Sequence, residues 1–497
     1  MPANLSVVDY TPLTPVLVGV AAIQQKLADY QQALEPVALM EQALRGAAAD
    51  AGSPGLLQRA GEILVPKGIW GYSDPARLLA DALGAPAANT VLAEIGVSQQ
   101  TLITRACQRI ASGEVAVAMV VGAEAKYRSL CASKSGGEAA ETRQVEVAPD
   151  VLLLPDDELW SPVESAAGLG MPVGYYAIMD SALRYRQGLS PDEHRDQMAQ
   201  MYARFSEIAA TNPDAWSDRA VDAATIRDPS PGNRMLAFPY TKLHNSQWNV
   251  DQAAGLIFCS AGLAEELGIA PSKWIFPRAT AESNFMSVVA SRGELGACPG
   301  FRAAGRAVME AAGISFDAIR LRELYSCFPY AVRSQLHEFG MASGGDLSVT
   351  GGMTFGGGPL NNFVFQATVK MAQLLRDNPA EVGLVTTVSG MLTKQACALW
   401  SAAPNPGGWS FTDVTDQARA ASDIREIVAD FRGEAMVAGY TVLYQGSDPW
   451  RAVAVFDLPG GARTVAYSEE PGLMQAMQEQ EFCGRRLSLA DGLFSAG

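Results

Sequence analysis

The stretch that decides the fold is Glu94–Ala125, EIGVSQQTLITRACQRIASGEVAVAMVVGAEA. Apolar residues recur at helical spacing from Leu102 to Ile110, which predicts a helix with a wide apolar face. Gly113 ends this helix. The uncharged run Val115–Gly122 predicts a strand that is covered on both faces, as in parallel sheets. The stretch therefore predicts a buried helix followed by a buried strand.

Ser98 stands immediately before the predicted helix. Serine is strongly favoured as an N-cap, so its hydroxyl is expected to cap this helix. The N-terminus of a helix also directs free N–H groups at whatever lies in front of it, which suits a nucleophile or an anion. Ser98 is therefore open to two interpretations, as a helix cap or as a catalytic hydroxyl, and no neighbouring base is evident in the sequence.

The composition is that of an acidic globular protein. Of its 497 residues, 48% are hydrophobic and 18% are charged, and the formal net charge is −16. This charge argues against general binding to nucleic acids or anionic membranes, and no apolar run is long enough to span a bilayer. The seven cysteines show no zinc-ligand spacing. We expect no metal site and, without a secretory signal pattern in MPANLSVVDY, a cytoplasmic location.

Strands alternate with helices on both sides of a different middle region, which predicts an α/β protein. GEVAVAMVVGA from Gly113 and AEVGLVTTVSG from Ala380 echo each other and predict two similar halves. The first half is expected over residues 1–125 with part of 251–270, and the second over residues 271–401. Between them, residues 126–250 predict a helical and loop insertion without strands that covers the site.

The C-terminal part of the chain has a different pattern. The segment AAPNPGG, residues 402–408, predicts a linker. Beyond it, short strands joined by tight turns, such as the turn at residues 459–461, predict a small β-rich, barrel-like domain over residues 409–497. A barrel of this kind does not imply binding to nucleic acid, and the net charge argues against it.

Three segments together resemble the thiolase superfamily. Glu94–Ala125 resembles its nucleophile helix and the following strand. Glu323–Phe328, ELYSCF, is similar to the Glu-Leu-(Asn or His)-x-x-Phe segment, above all in sterol-carrier-protein thiolases, and Ser348–Leu360 is similar to the loop that ends in Gly-His-Pro. The resemblance covers residues 10–400 and implies a five-layered αβαβα thiolase fold. The tail resembles the extra domain of a bacterial thiolase-like subfamily that is compared with an oligonucleotide/oligosaccharide-binding barrel.

The resemblance also locates the four catalytic positions of thiolases, and all four differ here. Gly96 stands at the nucleophile position, Tyr325 at the oxyanion-binding Asn or His, and Gly358 at the histidine. Thr387 lies near the position of the second cysteine. Cys107 falls on the apolar face of the helix instead. Ordinary thiolysis or Claisen condensation through a cysteine is therefore not expected.

Several residues remain candidates for a site. Tyr325 and Ser98 are the catalytic candidates, because a tyrosine hydroxyl can donate a hydrogen bond and can act as acid or base if its pKa falls. Gly96 and Gly390 are the candidates for oxyanion-type backbone N–H groups. The candidate contacts to substrate or coenzyme A are His244, Asn361 and Gly358. Packing is the alternative for His244, and capping of the next helix is the alternative for Asn361 and its neighbour Asn362.

Two functions follow from the resemblance. The first is an acetyl-CoA acetyltransferase-like protein of lipid metabolism that binds acyl-CoA thioesters, with acyl transfer or aldol/retro-aldol chemistry through Tyr325, as in the thiolase-like aldolase of steroid side-chain breakdown. The second is a non-catalytic protein that binds coenzyme A or acyl-CoA within a complex. In both, no cofactor is bound covalently, and coenzyme A or acyl-CoA is the substrate or ligand. A homodimer and a partner protein docked on the C-terminal domain are both compatible with the sequence.

Overall fold

The structure is a computed structural model that describes residues 10–145, 147–342 and 344–495. Its strands are β1 (Pro15–Gln25), β2 (Glu62–Pro66), β3 (Asn89–Ala93), β4 (Val117–Ala125), β5 (Val151–Leu153), β6 (Met235–Ala237), β7 (Tyr240–Thr241), β8 (Asp251–Ser260), β9 (Phe276–Ser283), β10 (Leu321–Glu323), β11 (Val382–Ser389), β12 (Lys394–Ser401), β13 (Ser410–Asp413), β14 (Gly433–Gln445), β15 (Asp448–Asp457), β16 (Arg463–Ser468), β17 (Arg486–Ala490) and β18 (Leu493–Ser495).

The helices cover the faces of the sheets formed by these strands. They are α1 (Pro36–Asp50), α2 (Pro75–Leu83), α3 (Gln99–Ala111), α4 (Lys126–Lys134), α5 (Pro162–Ala166), α6 (Pro172–Arg186), α7 (Pro191–Thr211), α8 (Ala223–Arg227), α9 (Ala261–Glu266), α10 (Pro299–Ala312), α11 (Pro329–Phe339), α12 (Phe363–Asp377), α13 (Thr415–Ala420) and α14 (Pro471–Glu479). No helix within the described residues is long and apolar enough to cross a membrane.

Two sheets share one topology. The first has the strand order β1-β8-β4-β2-β3-β5, and the second has the order β10-β11-β12-β9-β13. In both, a parallel pair (β2 with β4, β10 with β11) is followed by two antiparallel pairings (β4–β8–β1 and β11–β12–β9). The strands β4 and β11, whose sequences echo each other, occupy equivalent places. The predicted pair of similar halves is confirmed.

Helices α3 and α12 form a layer between the two sheets. Leu102, Ile103 and Ile110 of α3 are buried in one hydrophobic cluster that also contains residues of α12 and of both sheets. The alternate face of the first sheet packs against α1 and α2 in a second cluster. Cys107 lies in the central cluster, and burial raises the pKa of its thiol. Helices α10 and α11 cover the outer face of the second sheet, which completes the predicted five-layered αβαβα architecture.

The insertion contains short strands that the sequence did not predict. Strand β5 adds to the edge of the first sheet, parallel to β3. Strands β6 and β7 extend a third sheet, which the C-terminal strands form, beyond β14. The expectation of a strand-free insertion is therefore wrong. Each of these strands has two or three residues, which is too short to leave an alternating pattern in the sequence. Helix α7 begins directly after Ser190, which forms a complete capping box with Glu193.

The C-terminal strands close into a five-stranded barrel. Strand β14 pairs with β15 on one side and with β17 on the other, and β16 and β18 complete the circuit. The turn at residues 459–461 joins β15 to β16 as predicted. Helix α6 of the insertion packs directly on the barrel, because Gly439 leaves its backbone close to the carbonyl of Ile178. Arg184 and Glu481 form an ion pair of 2.9 Å across this contact.

Candidate functional site

The first turns of the two central helices meet and are joined by a hydrogen bond. Gln99, the first residue of α3, accepts a hydrogen bond at its Oε1 from the backbone N–H of Val364 at 2.8 Å. Val364 is the second residue of α12, and its N–H is one that the preceding N-cap side chain ordinarily binds. Helix α3 therefore caps α12 from the side.

The N-cap side chains of both helices are left without partners. Ser98 precedes α3 and Asn362 precedes α12, and neither side chain makes a capping hydrogen bond. Each residue is 2% exposed, and the Ser98 Oγ and both polar atoms of the Asn362 amide have no hydrogen-bond partner. The expected capping by Ser98 and by Asn362 is therefore wrong, although both occupy the N-cap position. A buried polar group without a partner costs about 1–3 kcal/mol, so two at one place indicate a site.

Further unpartnered polar groups belong to the same region. Thr387 on β11 and Gln100 on α3 are at most 1% exposed, and their side-chain polar atoms also lack partners. Thr386 hydrogen-bonds to Gln335 of α11 on one face of β11. Because side chains alternate along a strand, Thr387 points to the opposite face, toward α3 and α12.

Tyr325 lies beside this junction. Its ring packs edge-on against Phe363, with 5.8 Å between the ring centroids, and its hydroxyl is within hydrogen-bonding reach of the Gln99 side chain. Its backbone is fixed by Thr386, whose Oγ1 accepts the Tyr325 N–H at 2.8 Å. Burial raises the pKa of Tyr325 above its ordinary value. The hydroxyl therefore stays protonated and suits hydrogen-bond donation, whereas the expected role as a base would need a lowered pKa.

A strap formed by residues 154–160 of the insertion, which follows β5, covers the two glycines that were predicted to supply backbone N–H groups. Gly96 has a φ of +104°, and a Cβ there would lie 3.0 Å from the Cβ of Pro155. Gly390 has a φ of +64°, and a Cβ there would lie 2.9 Å from Leu159. Both positions require glycine, for the positive φ and for the close approach of the strap.

Gly358, which the sequence resemblance aligns with the thiolase histidine, has no room for a side chain. A Cβ at Gly358 would overlap the Oγ of Ser246. Ser246 is held there because its N–H donates to the carbonyl of Cys327 at 3.1 Å, and the Gly358 N–H donates to the carbonyl of Gln247 at 2.9 Å. Ser246 of the insertion thus occupies the space beside Gly358, and no feature of the sequence indicates this contact.

Each of the other two candidate contacts is engaged through one nitrogen, and the Nε2 of His244 is buried without a partner. His244 is 1% exposed, its Nδ1 lies 3.0 Å from the Thr241 Oγ1, and burial lowers its pKa to about 3. Its neutral, enclosed ring fits the packing alternative rather than a contact to coenzyme A. Asn361 donates from its Nδ2 to the carbonyl of Lys67 at 2.8 Å. The free amide is that of its neighbour, Asn362.

Glu323 orders the glycine-rich loop next to the site. Its Oε2 accepts the N–H groups of Val349 and Thr350, each at 2.8 Å, and its carboxylate is bound by the hydroxyl of Ser348. Burial raises the pKa of Glu323 to about 7. The acidic residue of the ELYSCF segment therefore positions a loop. Within the residues that the structure describes, no group of three or more His, Cys, Asp or Glu side chains is placed to hold a metal ion.

Comparisons with known proteins agree with this architecture. No known sequence family matches the chain, and no curated protein does. Among solved structures, a monomeric SCP2-thiolase-like protein type 1 from Mycobacterium smegmatis superposes with a TM-score of 0.81 at 23% identity, over 98% of this chain and 100% of that one.

Two further structures match the chain less completely. The Ltp2–ChsH2(DUF35) aldolase has a TM-score of 0.59 at 17% identity, over 78% of this chain and 98% of that one. The acetyl-CoA acetyltransferase from Syntrophomonas wolfei has a TM-score of 0.55 at 17% identity, over 78% of this chain and 99% of that one. The chain has the thiolase fold with an additional C-terminal barrel.

Proposed function

We propose that the protein binds an acyl thioester of coenzyme A, with the thioester carbonyl at the junction of α3 and α12. The observation that carries this proposal is the coincidence of two free, buried N-cap side chains with the protonated hydroxyl of Tyr325. Helix N-termini favour negative charge, and a hydroxyl donor adds to that preference. The junction of α3 and α12 therefore stabilises best a carbonyl oxygen that gains negative charge.

Chemistry through a thiolate does not fit this site. Gly96 has no side chain, and the nearest cysteine in the chain, Cys107, is buried in the central cluster with a raised pKa. Burial also raises the pKa of Cys327, two residues after Tyr325, to about 12. A thiol with such a pKa is a poor nucleophile at neutral pH. The proposal is therefore an acyl-CoA protein that works without cysteine.

Access to the junction requires the strap to move. Pro155 and Leu159 pack on Gly96 and Gly390, and the unpartnered side-chain atoms of Ser98 and Asn362 are buried. Leu154 and Trp160 of the same strap are 60% and 48% exposed. Displacement of the strap by a ligand therefore exposes little additional apolar surface.

A second candidate is catalysis of aldol or retro-aldol chemistry on the bound thioester. The protonated Tyr325 is the observation that favours it, because a hydroxyl donor can polarise a carbonyl. One structural neighbour is described as an aldolase complex, which supports this candidate and the association with a partner protein. A purely binding role within such a complex is the alternative.

Titration calorimetry with acetyl-CoA and with free coenzyme A tests the proposed binding. Acetyl-CoA is expected to bind more tightly than coenzyme A, and Tyr325→Phe is expected to weaken acetyl-CoA by about 2- to 10-fold, the effect of one lost hydrogen bond. Absence of binding by both ligands would refute the proposal. Conversion of an acyl-CoA by the wild type that is unaffected by Tyr325→Phe would exclude the tyrosine-dependent reaction.

A further inference from the structure

The amide of Asn362 is free because another residue performs its capping role. An asparagine at an N-cap normally accepts a hydrogen bond from the second or third N–H of its helix. Here the Oε1 of Gln99 takes the N–H of Val364. Asn362 therefore keeps both its acceptor and its two donors, in a position that is 2% exposed.

The surroundings orient this amide. The Oδ1 of Asn362 lies against the backbone of β4, where a Cβ at Gly122 would approach it to 2.8 Å. Gly122 thus provides the space in which the amide sits. The next residue, Phe363, carries the ring that Tyr325 packs against edge-on. The Gln99 side chain connects the two groups, because its Oε1 accepts the N–H of Val364, two residues after Asn362, and the Tyr325 hydroxyl lies within its hydrogen-bonding reach.

We propose that the Nδ2 of Asn362 donates a hydrogen bond to the thioester carbonyl of the bound acyl-CoA, as a second donor beside Tyr325. This inference rests on the proposed function and adds a residue to it. A carbonyl oxygen accepts two hydrogen bonds, and the positive end of the α12 dipole lies at the same place. Residue 325 is a tyrosine and has no side-chain amide. Asn362, at the start of α12, supplies that group instead.

A pair of ligands separates this role from a structural one. Acetyl-CoA carries the thioester carbonyl, and S-ethyl-CoA is a thioether that lacks this oxygen and is otherwise alike. Asn362→Leu is expected to weaken acetyl-CoA by about 2- to 10-fold, the effect of one hydrogen bond, and to change S-ethyl-CoA less than about 2-fold. Asn362→Asp is expected to behave similarly, because an ionised carboxylate cannot donate.

Thr368→Val is the matched control on the same helix. The Thr368 hydroxyl donates to the carbonyl of Val364 at 2.8 Å and is 1% exposed, so its loss alters α12 without touching the amide. This variant is expected to bind both ligands as the wild type does. Equal weakening of the two ligands by the Asn362 variants, or no weakening, would overturn the inference while leaving the proposed function in place. Wild-type protein that binds neither ligand would overturn both.

Discussion

The Oε1 of Gln99 accepts the backbone N–H of Val364 at 2.8 Å and so ties the start of α3 to the start of α12. These helices occupy equivalent places in the two halves of the molecule, between the same two sheets. The bond satisfies one free N–H at the cost of leaving the amide of Asn362 unpartnered. Where the two halves meet, the Asn362 amide therefore remains without a hydrogen-bond partner after folding.

Replacing Gln99 by Leu tests this bond. The variant leaves the Val364 N–H without its acceptor, and we expect a loss of about 0.5–2 kcal/mol in the free energy of unfolding, which is typical of a lost helix cap. The neighbouring Gln100→Leu is the control, since the Gln100 amide is buried without any partner. It should be neutral or stabilising. Urea unfolding measures the free energy of unfolding of both variants. Equal losses would contradict the different roles assigned to Gln99 and Gln100.

Asn362→Leu should make the protein more stable. The substitution removes a buried amide that has no partner and leaves a side chain of similar size, so we expect a gain of about 1 kcal/mol in the free energy of unfolding. Thr368→Val on the same helix should instead lose stability, because the Thr368 hydroxyl is satisfied. Thermal and urea unfolding report both signs. A clear loss of stability in the Asn362 variant would mean that the amide has a partner in solution.

The space at Gly358 is filled by Ser246, so Gly358→Ala should destabilise the protein. An added Cβ forces the Ser246 hydroxyl aside, and overpacking of this kind costs about 1–3 kcal/mol. Ser246→Gly in the same chain should recover most of that loss, which a double-mutant cycle measures as a coupling energy. Gly407→Ala is the control, because a Cβ there meets no atom within 4 Å. Additive losses at 358 and 246 would contradict the contact.

Glu124 should make stability depend on pH. Burial raises the pKa of its carboxyl to about 7, with Lys126 opposing and Glu141 adding to the shift. The folded-state pKa lies above the unfolded value of about 4.3. The contribution of Glu124 to the free energy of unfolding is therefore fully present below a pH of about 4.3 and is lost as the pH rises through about 7. Relative to wild type, Glu124→Gln should therefore gain up to about 3 kcal/mol between about pH 5 and 8.

Unfolding free energies at several pH values test the Glu124 prediction. Glu138→Gln, at an exposed position of the same part of the chain, is the control and should follow the wild type. A pH-independent difference between Glu124→Gln and the wild type would show that the carboxyl is not protonated in the folded protein.

The sequence predicted the elements that carry local patterns and missed those that depend on distant partners. Helix α3 and strand β4 follow from the periodicity around Leu102 and the apolar run after Gly113. Strands β5, β6 and β7 were missed because their two or three residues become strands only by pairing with β3, β14 and β6, respectively. The order of motifs made Tyr325 a candidate, whereas the direction of its pKa depends on burial that a sequence does not record.

The details of the site depended on contacts between distant segments. Ser98 was recognised as the N-cap residue of α3, but its side chain caps nothing. Asn361 and Asn362 are indistinguishable in the sequence, and the start of α12 at Phe363 decides which of them turns inward. Ser246 lies more than a hundred residues before Gly358, so the overlap between them had no sequence signal.

A crystal structure of the protein with acetyl-CoA tests the central claim most directly. The account predicts that the strap of residues 154–160 is displaced and that the thioester oxygen lies within about 3.2 Å of both the Tyr325 hydroxyl and the Nδ2 of Asn362. Acetyl-CoA bound with its thioester away from the junction of α3 and α12, with the strap still packed on Gly96 and Gly390, would contradict it.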